Sequence, residues 1–177
     1  MWEVTSQVKA TSRLRTHVQT RIKDKKYHRY GGKCRKHIHL DERLVMQEMR
    51  QFFKQEPAME AFIRRKIPNA SCVASIMILS SEHAPEQRLH HDHDCGYDRC
   101  LSLIFSINNK SVDTQVTDAR IPIKAPALLY DTYMLHAGPA GARNDKITLN
   151  FADLNDPKYR RIARQNGHSV RNRCEIF

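Results

Sequence analysis

Between residues 70 and 152 the sequence is a succession of short β-leaning runs separated by Asn, Asp, Pro and Gly, and this punctuation restricts the fold more than any other feature. Residues 71–80 (SCVASIMILS) form an apolar run of strand length. Residues 100–108 alternate Leu101, Leu103, Phe105 and Ile107 against Ser102, Ile104 and Ser106. A period of two sends the two sets to opposite faces of a sheet. Shorter runs follow at 113–117, 119–124, 127–130, 133–136 and 147–151. Strands this short, joined by turns, predict an antiparallel sandwich or barrel.

The chain upstream is different in texture. Asp41 is placed to cap a helix whose Leu44, Val45, Met49, Phe52 and Phe53 line one face, and Pro57 opens a second helix with Met59, Phe62 and Ile63, ending near Pro68. The first forty residues are basic and weakly periodic, and 27–32, with Gly31 and Gly32, reads as a turn. The expected organisation is a basic, partly helical region 1–69 packing on a β core of 70–156. A basic segment 157–177 follows, with one short helix at 158–165.

Charge follows the same division. The 177 residues carry a net charge of +11. Residues 1–66 hold 17 Lys/Arg against 7 Asp/Glu, residues 67–156 hold 7 against 11, and residues 157–177 hold 6 against 1. The basicity lies at the two ends, around an acidic middle. It suits the steering of an anionic substrate, and nucleic acid is an open but disfavoured partner because no recognised binding motif accompanies the charge. No apolar run approaches the ~20 residues of a membrane span, so no membrane association is expected. Five Cys without a dense framework, behind an N-terminus unlike a secretory signal, predict reduced thiols in an intracellular, cytoplasmic setting. Oligomeric state is not legible.

The densest chemical feature is Leu89-His90-His91-Asp92-His93-Asp94. On an extended chain His90, Asp92 and Asp94 share one face, so a His and a carboxylate two apart can grip one metal ion. A second His from a neighbouring strand completes a 2-His-1-carboxylate triad with positions left open, an arrangement that suits non-haem Fe(II). His136, before Ala137-Gly138-Pro139 and 44 residues beyond Asp92, can supply it. Ten residues later Lys146 opens a strand on which Lys146, Thr148 and Asn150 share a face, and Arg143 lies three residues before it. Either cation can pair with a carboxylate, Arg143 with the better-matched planar fork.

Gln87-Arg88-Leu89-His90-His91-Asp92 resembles the Q-x-L-H-x-D opening of Fe(II)/2-oxoglutarate-dependent oxygenases of the phytanoyl-CoA and prolyl hydroxylase type. Leu135-His136-Ala137-Gly138-Pro139 is similar to their distal-His segment. The resemblance covers about residues 70–152. It implies a mainly β fold with N-terminal helices, a double-stranded β-helix of the jelly-roll, cupin-like kind. It further implies Fe(II) held by His90, Asp92 and His136, and 2-oxoglutarate as cosubstrate, its distal carboxylate on Lys146 or Arg143. Ascorbate is an optional addition, and the implied activity is dioxygenase hydroxylation or demethylation of a small molecule or protein side chain.

Other readings of the same residues stay open. His91 or His93 could be the first ligand, and Cys95 and Cys100 with the nearby His could hold a structural zinc. The His/Asp run could be a solvated loop, His136 a hydrogen-bonded core histidine, and Lys146 a strand-end charge. The rival functions are a cupin-like metal enzyme that does not use 2-oxoglutarate and a basic nucleic-acid-binding protein.

Overall fold

In the computed structural model, residues 3–8, 11–23, 28–29, 35–39, 42–80, 85–91, 100–107, 114–116, 122–123, 125–138 and 146–165 are described. Their strands form two sheets. The larger has seven strands in the order β1 (Glu3–Ser6), β8 (Ala127–Asp131), β5 (Cys100–Ser106), β10 (Lys146–Asp153), β4 (Ala70–Ser80), β3 (Arg35–His39) and β2 (His28–Arg29). The smaller has three, in the order β7 (Pro122–Ile123), β6 (Thr114–Val116) and β9 (His136–Ala137). Every pairing is antiparallel.

The alternation in β5 sorts the larger sheet into two faces. Leu149 pairs with Leu103, Phe105 with Ile147 and Phe151 with Leu101, and all six join the main hydrophobic core. The side chains one position along (Ser102, Ile104, Ser106, Lys146, Thr148, Asn150) point to the other face, since strand side chains alternate. Helices α1 (Ser12–Lys23), α2 (Glu42–Gln55) and α3 (Pro57–Lys66) cover the first face. Phe52 of α2 meets Phe105 edge-on at 4.6 Å between ring centres, and Phe53 meets Phe151 at 6.3 Å. Full burial of side chains of this size contributes roughly 1.5–3 kcal/mol each.

Local chemistry sets the helix ends. Pro57 fits the start of α3, whose final turn carries Arg64, Arg65 and Lys66 against the negative end of the helix dipole. The Ile67 N–H closes that turn on the Ile63 carbonyl at 2.8 Å. Helix α4 (Pro157–Gln165) starts one residue earlier than the spacing predicts. Asp156 Oδ1 accepts the Lys158 N–H at 2.8 Å as an N-cap, with Pro157 as first helical residue.

Several elements differ from expectation. The weakly periodic first forty residues supply β1, α1, β2 and β3, of which β1 and β3 pair with strands of the β body. His28–Arg29 is a strand within the segment expected as a turn. Residues 132–134 form a turn in the run expected as a strand, so β9 begins at His136. On α2, Met46 and Glu48 are buried while Leu44 is only partly so. Glu48 accepts a hydrogen bond from Thr11 Oγ1, and Ser6 Oγ donates to Glu56, fastening the N-terminal segment to α2 and the α2–α3 junction. Asp41 lies outside the described residues.

Candidate functional site

The face of the larger sheet turned away from the helices meets the smaller sheet. Lys146 Nζ on β10 donates to Thr114 Oγ1 on β6 at 2.9 Å. The Tyr130 ring of β8 lies 5.0 Å from the His136 ring of β9. Both histidines picked out by spacing reach this junction. His90 and His136 form an isolated antiparallel bridge and exchange both backbone hydrogen bonds at 3.0 Å. Their rings stand 4.5 Å apart.

Each imidazole is oriented by its own chain. His90 Nδ1 donates to the Arg88 carbonyl at 2.8 Å, and His136 Nδ1 donates to the Met134 carbonyl at 3.1 Å. A carbonyl can only accept, so each bond requires a proton on Nδ1, and a ring held this way has Nε2 left for a lone pair when it is neutral. Metal-ligating histidines are commonly held this way, with one ring nitrogen tied to a carbonyl and the other toward the ion. The donor chemistry of the pair therefore fits a divalent metal. Among the described residues no three His, Cys, Asp or Glu side chains gather as ligands. Asp92, with His93, Asp94 and Cys95, lies outside those residues. His91 stacks on Tyr133 at 5.3 Å, with Nδ1 buried and without a partner among the described residues.

Lys146 is 7% exposed, an uncommon position for an ammonium unless something polar meets it. It shares its face with Thr148 and Asn150, as the spacing predicts, and sits directly opposite Ser106 in the β10–β5 register. Asn150 Oδ1 accepts from Ser102 Oγ at 2.7 Å. Ser106 Oγ and Thr148 Oγ1, both buried, have no partner among the described residues. A buried hydroxyl left without a bond costs about 1–3 kcal/mol, so two such groups beside a buried cation fit an oxygen-rich anion. Continuing the β6–β9 register places Thr114 two residues along β6 from Val116, the position opposite His136. The Lys146 ammonium thus reaches the strand that pairs with β9, at a residue two positions from the one opposite His136. Arg143 lies outside the described residues.

Sequence reasoning passes over Thr114, Ser106 and Gln87 as site residues. The signal for Ser106 is a second serine, after Ser102, in a largely apolar strand. For Gln87 it is membership of the motif itself.

No protein-family model matches the chain, and no curated protein does. Solved structures match it in fold, and the fold is one that non-heme alpha-ketoglutarate-dependent enzymes adopt. The epimerase SnoN, in complex with Fe3+, alpha ketoglutarate and nogalamycin RO, is 11% identical, with 86% of this chain and 78% of that one covered at a TM-score of 0.62. The non-heme alpha ketoglutarate dependent carbocyclase SnoK from nogalamycin biosynthesis is 9% identical over 86% and 79%, with a TM-score of 0.63. AviO1 from Streptomyces viridochromogenes Tue57 is 16% identical over 88% and 91%, with a TM-score of 0.55. No helix among the described residues is long and apolar enough to cross a membrane.

Proposed function

We propose that the chain is a non-haem Fe(II)- and 2-oxoglutarate-dependent oxygenase on a double-stranded β-helix, with residues 70–156 as catalytic core, 1–69 packed on it and 157–177 a basic appendage. The observation that carries the reading is the isolated His90–His136 bridge, with both Nδ1 atoms tied to carbonyls, at a sheet junction where buried Lys146 also reaches across to β6. Its support from outside the chain is a fold in common with enzymes that use alpha ketoglutarate. In this reading His90, Asp92 and His136 hold the iron, and Lys146 takes the distal carboxylate of 2-oxoglutarate, with Arg143 as the alternative cation. When bound, the iron and cosubstrate supply the oxidising power that a substrate C–H bond requires.

The chain's own residues bind and orient. Lys146 holds a carboxylate by charge while Ser106 Oγ and Thr148 Oγ1 donate to it. Ile104 and Leu128, buried on the same face as Tyr130, keep water from the floor of the site. Their effect is to strengthen each polar contact by lowering the local dielectric. The substrate is a small molecule or a protein side chain, and an anionic one is drawn by the basic N-terminal region. Hydroxylation is the expected outcome, in an intracellular setting.

The test is a titration of the Co(II)-loaded protein with 2-oxoglutarate, followed by Fe(II)-dependent succinate release. Lys146→Met removes a charged hydrogen-bond donor worth about 1.5–3 kcal/mol, so 2-oxoglutarate should bind roughly 10–100-fold more weakly. Wild-type protein that binds neither Co(II) nor 2-oxoglutarate would refute the proposal.

A further inference from the structure

The bridge between His90 and His136 is isolated, and on the side of Arg88 and Gly138 the surrounding hydrogen bonds give the reason. In an antiparallel ladder, two residues that exchange both backbone bonds are followed, two positions on, by another pair that does the same. After His90 and His136 that next pair is Arg88 and Gly138. Arg88 does not take the place. Its carbonyl accepts the His90 Nδ1 proton at 2.8 Å. The Gly138 N–H donates at 2.9 Å to Gln87 Oε1, a side-chain oxygen, while the Gly138 carbonyl accepts the Gln87 N–H at 3.0 Å. Gln87 thus meets Gly138 with both main chain and side chain, one residue out of the ladder register.

We infer that Gln87 is a positioning residue for His90. Its side-chain carbonyl replaces the ladder acceptor that Arg88 would otherwise provide, and the released Arg88 carbonyl fixes the imidazole with its proton on Nδ1 and its lone pair on Nε2. Without that oxygen, the Gly138 N–H competes for the Arg88 carbonyl, the ladder gains a pair, and the His90 ring loses its anchor. The chemistry needs an acceptor at the end of a three-bond side chain, so Glu can stand in for Gln whereas Met, of similar length, cannot. The consequence for metal affinity rests on the proposed iron site; the consequence for the imidazole does not.

The experiment therefore has two readouts on the full chain. Nitrogen-15 NMR of the metal-free protein reports the His90 tautomer, and calorimetry with Co(II) reports affinity. Wild type and Gln87→Glu are expected to hold His90 as the Nδ1–H tautomer and to bind Co(II) within about threefold of each other. Gln87→Met is expected to mix the two tautomers and to weaken Co(II) about 10–100-fold, the range for lost partners of metal-bound histidines. If the Met variant does not fold, Gln87→Asn, one methylene short of Gly138, makes the same test. A folded Met or Asn variant with the wild-type tautomer overturns the inference, as does failure of both to fold. A tautomer shift in a protein that binds no Co(II) leaves the Gln87 role standing and removes the iron site.

Discussion

The two faces of the larger sheet are made by the same strands and are almost equally hidden from solvent, yet they are chemically opposite. Toward the helices, Leu103, Phe105, Leu149 and Phe151 pack on Phe52 and Phe53. Toward the smaller sheet the interleaved positions are Ser102, Ser106, Lys146, Thr148 and Asn150, with Ile104 among them. Exposure does not separate them: Leu149 is 0% exposed and Ser106 1%. A buried apolar residue stabilises by leaving water, while a buried hydroxyl or ammonium is costly unless something meets it. One face therefore maintains the fold, and the other spends part of that stability on a polar floor.

The largest test of this contrast falls on the helix side. Phe105→Ala should destabilise the protein by about 3–5 kcal/mol, because it removes the ring against which Phe52 packs and leaves a cavity that the strands are too rigid to close. Chemical denaturation measures the loss. On the proposed function, the folded fraction should bind 2-oxoglutarate as wild type does, since Phe105 faces away from Lys146. A loss below about 1.5 kcal/mol, the figure for conservative swaps, would mean that this face does not carry the fold.

Much of this division was legible in the residues themselves. The β5 alternation and the apolar stripes of α2 and α3 are strong periodic signals, and Lys146, Thr148 and Asn150 share a face as the period of two requires. Helix α1 escaped because, among its described side chains, only Leu14 and Val18 are buried between polar neighbours, too few to mark a face. The strand expected up to His136 is interrupted because Asp131 Oδ1 accepts the Tyr133 N–H at 3.0 Å, an Asx-type turn that overrides the apolar run Tyr133-Met134-Leu135. His90 and His136 stood out by residue type. Thr114, Ser106 and Gln87 did not, because their roles depend on what lies across a sheet junction or beside a broken ladder. A window of sequence shows a serine in an apolar strand or a glutamine in a motif, but not the group that each one meets.

A second test concerns the far end of the site-side row, where polarity fades. Beyond Asn150 the row continues to Ala152 and its partner Cys100, near which Tyr159 of α4 is buried. Burial pushes the Tyr159 phenol well above its ordinary value of 10.0, and Cys100 and Cys72 add to the shift. The folded state then keeps this proton at pH values where the unfolded chain releases it. Stability should be independent of this group below about pH 10 and fall above it, by up to about 1.4 kcal/mol per pH unit for one proton. Tyr159→Phe should remove that part of the alkaline slope in denaturation midpoints between pH 9 and 11. An unchanged slope would show that the phenol ionises within the fold, and that this end of the row is wetter than its neighbours.

The smallest effect is the most discriminating, because its two consequences have opposite signs. Thr148 Oγ1 is buried without a partner among the described residues, beside Lys146. Replacing it by Val keeps the shape and deletes the stranded hydroxyl. If the group is retained for a ligand, the ligand-free protein should gain up to about 1 kcal/mol of stability while losing roughly 2–10-fold in 2-oxoglutarate affinity, the worth of one neutral hydrogen bond. If the hydroxyl merely belongs to the core, both quantities should move the same way or not at all. Calorimetric titration and thermal unfolding of the same variant decide between them. A Thr148→Val protein that is less stable and binds 2-oxoglutarate unchanged would make the polar face an ordinary sheet surface.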